Sequence, residues 1–118
     1  MPVCAVACET DHIAAWAQSY RGVQQMTGAD RYFILAESGH VAGIINPPQR
    51  NKYGYYTQNS LAESPEAWQS SAAHTTGSWW PAWKDWLMLQ SGNSIKARKP
   101  KSPKGLKLGN APGQYVLK

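Results

Sequence analysis

The sequence predicts an α/β fold built around a βαβ unit. Three observations carry this expectation: two short apolar runs of strand composition, an amphipathic stretch between them, and a Trp-rich segment with helical spacing further on. The first run, Pro-Val-Cys-Ala-Val-Ala over residues 2–7, suits a buried strand. Glu9-Thr10-Asp11 follows as a strand-to-helix turn, with Thr10 or Asp11 able to cap the next helix. Ile13, Trp16, Ala17, Tyr20 and Val23 fall on one face of a helix expected over 13–26 and ended by Thr27-Gly28. The second run, Arg-Tyr-Phe-Ile-Leu-Ala over 31–36, is β-branched and aromatic, and so reads as a second buried strand. Strand, helix, strand implies that the two strands are parallel.

Beyond Glu37-Ser38-Gly39-His40 comes an apolar stretch, Val41 to Ile45, closed by Asn46-Pro47-Pro48. Residues 49–62 are polar and Tyr-rich, a loop with room for a short strand. Ser64-Pro65-Glu66 starts a helix with Pro in its first turn, running to about Ala73. Gly77-Ser78 opens another through Trp79, Trp80, Trp83, Trp86 and Leu87, ending near Gly92. The spacing of these Trp residues suits packing, although Trp also favours lipid or polymer surfaces. Two parallel strands alone leave both faces of a sheet without neighbours. The chain is therefore expected to be part of a larger fold and at best marginally stable by itself.

The net charge of +5 is not evenly spread. Seven of the twelve basic residues follow Gly92 with no acidic residue among them, whereas residues 1–91 carry five basic and seven acidic residues. The division expected is therefore 1–92 for the folded part and 93–118 for a flexible, basic, Pro/Gly/Lys-rich tail. The tail lacks interleaved aromatics until Tyr115, so a solvated arm is favoured over a nucleic-acid contact. No apolar run reaches about 18 residues, so no transmembrane segment is expected. Neither is a signal peptide, and the location expected is cytoplasmic. Cys4 and Cys8 share one strand, their Cα atoms roughly 13 Å apart and beyond disulfide reach. No Cys/His grouping has zinc-site spacing, so no metal is expected.

Asp11 and His40 each follow the C-terminal end of a predicted parallel strand, the edge where ligands and catalytic groups gather in open α/β sheets. Asp after one strand and His after the next is the order of the last two members of an α/β-hydrolase triad. Spacing alone also admits a helix cap at Asp11 and a loop histidine at His40.

The local wording around these residues is more specific. Thr10-Asp11-His12-Ile13 with Trp16, the block from Ser38 through Gly39-His40-Val41-Ala42-Gly43-Ile44-Ile45 to Asn46-Pro47-Pro48, and Gly77-Ser78-Trp79-Trp80-Pro81 with Trp83 occur in this order. Together with the closing Ala111-Pro112-Gly113-Gln114-Tyr115-Val116, they resemble the C-terminal region of class I polyhydroxyalkanoate (poly-3-hydroxybutyrate) synthases. The resemblance covers nearly the whole chain and is weakest over 93–110. It implies the C-terminal part of an α/β-hydrolase fold: a βαβ unit, then a loop, two helices and the basic tail. It also implies an acyltransferase that polymerises 3-hydroxyacyl-CoA with release of CoA, needing no cofactor beyond that substrate.

On this resemblance His40 is the general base that activates a cysteine thiol. Asp11 is the carboxylate that orients it and helps activate the 3-hydroxyl of the incoming unit. His12, beside Asp11, has either a substrate contact or a structural hydrogen bond. The family's nucleophile lies in a Gly-x-Cys-x-Gly-Gly elbow. Neither Cys4 nor Cys8 has such neighbours and both precede Asp11, so the nucleophile is expected in a missing N-terminal part and the chain alone to be inactive. The polymer granule surface is a further partner implied. Two rival readings are a module that associates with granules or with a synthase, and a piece of another α/β-hydrolase such as an esterase or depolymerase.

Overall fold

The computed structural model describes residues 1–27, 30–98, 109–113 and 115–117. Its elements are β1 (Val3–Cys8), α1 (Trp16–Gln24), β2 (Arg31–Ala36), β3 (Tyr55–Gln58), α2 (Pro65–Ser71), β4 (Ala73–Thr75) and α3 (Trp80–Gln90), with a 3-10 turn at Pro48–Arg50. They form an α/β domain with one four-stranded sheet in the order β1-β2-β3-β4. β1 and β2 are parallel, in register from Val3 opposite Arg31 to Cys8 opposite Ala36. β3 runs antiparallel to β2, and β4 antiparallel to β3.

The period of two along β1 and β2 divides the core. Ala5, Ala7, Phe33 and Leu35 face α1 and α2, where Tyr20, Val23 and Trp68 close the cluster. The Tyr20 and Phe33 rings meet edge-on at 5.1 Å, and Phe33 and Trp68 at 5.2 Å. Each of these large side chains contributes about 1.5–3 kcal/mol by leaving water. Cys4, Val6, Cys8, Ile34 and Ala36 face the other way, against Ile44, Trp79 and Trp80. Both faces of the central pair are thus covered from within the chain.

The parallel pair and β2 agree with the sequence, while β1 sits one residue later than expected. α1 is shorter than the 13–26 expected: Ile13 lies outside it and is 68% exposed. The reason lies in Asp11, whose carboxylate takes the N–H groups of Ile13 and Ala14 in a separate turn. Ala15 is non-helical at φ −53° and ψ 120°, so the helix begins only at Trp16, and neither Thr10 nor Asp11 caps it.

Ser64 does cap α2, accepting from Ala67 N–H, with Pro65 in the first turn. α2 stops at Ser71 because Ala72 turns extended and leads into β4, a strand absent from the sequence reading. Its three exposed residues carry no apolar signal; backbone pairing with β3 makes it a strand. In α3, Trp79 and Trp80 pack inward at its start, whereas Trp83 is substantially exposed. Gly28, expected to end α1, lies outside the described residues, and so do 99–108, 114 and 118 of the tail, with Lys99, Lys101, Lys104, Lys107 and Lys118 among them. No helix of the described residues is long and apolar enough to cross a membrane.

Candidate functional site

The parallel pairing brings Asp11 and His40 together. Beyond the strand ends, Glu9 N–H donates to Ala36 C=O at 2.8 Å and Thr10 N–H to Ser38 C=O at 3.1 Å, so the two following loops leave the sheet side by side. Ser38 adopts φ +73°, a left-handed turn that redirects the chain just before Gly39-His40.

His40 Nδ1 lies 2.7 Å from Asp11 Oδ2. Backbone donation from Ala14 and the contact with His40 are the leading causes that hold the Asp11 carboxyl at about 2, below its ordinary 3.8. An ionised carboxylate can only accept, so Nδ1 carries the donated proton. In the neutral ring Nε2 then holds the lone pair, and it has no hydrogen-bond partner among the described residues. The Asp11 side chain is 8% exposed and that of His40 49%. The carboxylate is therefore enclosed while the imidazole faces outward. This arrangement can take a proton at Nε2 and stabilise the imidazolium through Asp11. His12 is exposed next to Asp11 and makes no hydrogen bond among the described residues.

His40 begins a compact double turn, in which Gly43 N–H donates to Gly39 C=O at 2.9 Å and Ile45 N–H to Val41 C=O at 2.8 Å. Gly43 presses on the sheet so closely that a Cβ there would lie 2.5 Å from Cys8 Sγ and 2.7 Å from Glu37 C=O, which excludes any side chain. From the other side Trp79 Nε1–H donates to Gly43 C=O at 2.9 Å, and Trp80 Nε1–H to Ile44 C=O at 3.0 Å. The Ser-Gly-His block and the Gly-Ser-Trp-Trp-Pro block, separate in sequence, are thus one structure. Buried Asn46 ends the turn by donating Nδ2–H to Lys52 C=O at 2.5 Å. A hollow of about 240 Å³ adjoins it, walled by Val41, Ile45, Arg50, Lys52 and Tyr53.

A second carboxylate–imidazole pair was not read from the sequence. Glu37 Oε1 lies 2.8 Å from His74 Nε2, and Glu37 Oε2 accepts from Gly54 N–H. These bonds, Gly54 first, lower the Glu37 pKa. The only sequence signal was a carboxylate directly after β2; its partner sits on the strand that the sequence did not reveal.

Neither Cys4 nor Cys8 makes a hydrogen bond to Asp11 or His40 among the described residues. Both are free, and both lie within β1. Burial pushes the Cys4 thiol up to about 11, and burial together with the nearby Asp11 charge raises Cys8. Thiols held protonated in this way are poor nucleophiles. No group of three or more potential metal ligands occurs among the described residues.

No protein-family model matches the chain. It is similar to poly(3-hydroxyalkanoate) polymerase 2 of Ectopseudomonas oleovorans, with 44% identity over 116 residues that cover 95% of this chain and 20% of that protein. It is also similar to the poly(3-hydroxyalkanoate) polymerase subunit PhaC of Cupriavidus necator (39% identity, 90% of this chain, 18% of the relative). The corresponding subunit of Rhizobium etli is 35% identical over 99% of this chain and 18% of its own length. The chain spans about a fifth of the length of these curated relatives.

Proposed function

This chain belongs, as a stretch about one-fifth of their length, to the poly(3-hydroxyalkanoate) polymerases, and from that premise we propose that it supplies the general base and the orienting carboxylate of their acyl-transfer site. The observation that carries the reading is the 2.7 Å contact between His40 Nδ1 and the enclosed Asp11 carboxylate, at the C-terminal edge of two parallel strands. The setting fits the C-terminal side of an α/β-hydrolase sheet, with the nucleophilic thiol provided by polymerase sequence other than this stretch.

In this reading His40 Nε2 takes the thiol proton, and the thiolate attacks the thioester carbonyl of a 3-hydroxyacyl-CoA. The bond to the CoA sulfur breaks, His40 returns the proton to that sulfur, and the acyl group rests on the enzyme as a thioester. The 3-hydroxyl of another unit then gives its proton to Nε2 and attacks this thioester; the bond to the enzyme sulfur breaks, that sulfur takes the proton back from His40, and the two units are left joined by one ester bond.

Asp11 acts by orientation. Its Oδ1 already accepts from two backbone N–H groups and its side chain is largely covered, which supports holding His40 over direct contact with the hydroxyl. The exposure of His12 beside Asp11 supports a substrate contact over a structural hydrogen bond. The chemistry requires no cofactor. It fits a cytoplasmic enzyme that works at the surface of its own polymer granule.

The test is a chimera in which this stretch replaces the matching fifth of the Cupriavidus necator relative, assayed for CoA release from 3-hydroxybutyryl-CoA. The chimera should turn over, whereas the 118-residue chain alone should release no CoA. Turnover by the chain alone, or a His40→Gln chimera as active as its parent, would refute the reading.

A further inference from the structure

We propose that Trp79 and Trp80 are positioning residues for His40, acting through their indole N–H groups. The inference rests on the reading of His40 as the general base. His40 starts a double turn whose internal bonds, Gly43 to Gly39 and Ile45 to Val41, make residues 39–45 a stiff unit. The last carbonyls of such a turn have no acceptor role within it, and they carry the negative end of its dipole. Two of these carbonyls, on Gly43 and Ile44, are taken by Trp79 Nε1–H at 2.9 Å and Trp80 Nε1–H at 3.0 Å.

On the opposite side the unit lies close against the sheet, because even a Cβ at Gly43 would collide with Cys8 Sγ and Glu37 C=O. The turn is therefore gripped between the sheet and the two indoles. Its leading residue, His40, is otherwise tied down only by Asp11 among the described residues. The tryptophans do more than fill space. Trp79 is buried in the core cluster with Cys8, Ile34 and Ala36, and Ser78 Oγ accepts from Trp80 N–H at 3.1 Å, which fixes the start of α3 that carries them both. Trp83, on the same helix and 6.1 Å from Trp79 by ring centroid, has no such bond among the described residues and is substantially exposed. It is an internal control.

The experiment uses the chimera with Trp79→Phe, Trp80→Phe, Trp83→Phe and His40→Gln variants. In addition, benzothienylalanine at position 79 keeps the indole shape but replaces N–H by sulfur. Displacing a base by a fraction of an ångström to 1 Å is expected to lower kcat by about 10- to 100-fold. The expected result is a kcat loss of that size in Trp79→Phe and in the benzothienyl variant, a smaller loss in Trp80→Phe, and KM within about twofold of the parent. The His40 Nδ1 proton, expected to give a deshielded NMR signal through its bond to Asp11, should lose that signal in parallel, and Trp83→Phe should behave as the parent.

The benzothienyl variant decides the matter if Trp79→Phe does not fold, because it preserves the packing. Parent-like kcat and an intact Nδ1 signal in that variant, with His40→Gln inactive, would overturn the positioning role alone. A rise in KM at constant kcat would also overturn it, in favour of a substrate contact. An active His40→Gln chimera would remove the reading of His40 itself, and the proposal with it.

Discussion

Asp11 is enclosed where His40 is open, and its acid behaviour should report the whole site. Its carboxyl is held at about 2 against an ordinary 3.8, first by Ala14 N–H and next by His40. A carboxyl depressed in the folded state adds stability that is complete above about pH 4 and is lost as pH falls towards 2. Glu37, lowered chiefly by Gly54 N–H, acts in the same direction. The Asp11 carboxyl carbon should titrate near 2 by NMR. In His40→Ala its midpoint should rise yet stay below 3.8, because the backbone donors remain; a midpoint of 3.8 in the parent chain would show that these hydrogen bonds are not made.

Asp11 and His40 were legible in the sequence because strand ends and motif words placed them. The turn at Ile13 and Ala14 was not legible, since the apolar spacing of Ile13 continues the helix smoothly and only the side chain of Asp11 breaks it. Glu37–His74 was hidden for a different reason, in that its members meet only once β3 and β4 have paired.

Among the elements, the double turn after β2 is the most sensitive to change. A methyl group at Gly43 would have to displace Cys8 Sγ or the Glu37 carbonyl. Gly43→Ala should cost about 1–3 kcal/mol of stability, measured by urea unfolding of the chimera. Cys8→Ala in addition should recover only part of this, because the backbone carbonyl at 2.7 Å remains. Full recovery would place the conflict on the thiol alone.

The elements with dense apolar or capping signals were legible. β2 has the strand formers Tyr32, Phe33 and Ile34 at its centre, α2 has Ser64 and Pro65 at its start, and α3 has its tryptophans. Replacing Ser64 by Ala removes the acceptor for Ala67 N–H and should cost about 1 kcal/mol in the same unfolding experiment. β4 was illegible because its three exposed residues are a strand only through their partner.

For the molecule as a whole, the sheet is more complete than two parallel strands imply. α1 and α2 cover one face of the central pair, and the His40 turn with the start of α3 covers the other. Ile13, Val41, Ile45, Met88 and Leu89 nevertheless remain exposed. The separate chain should therefore self-associate with rising concentration in sedimentation velocity, since apolar surface of this kind is unstable in water. A monomer at all concentrations would contradict that expectation.

The central claim is that His40 and Asp11 act as one unit on a thiol from another part of the polymerase. Its most direct test is the rate of CoA release by the chimera carrying His40→Gln, Asp11→Asn or both. Residues that act as a unit are not additive, so the double variant should be no slower than His40→Gln alone, each being depressed by about 10²- to 10⁴-fold. Losses that multiply in the double variant, or a His40→Gln enzyme that keeps the parental rate, would contradict the account.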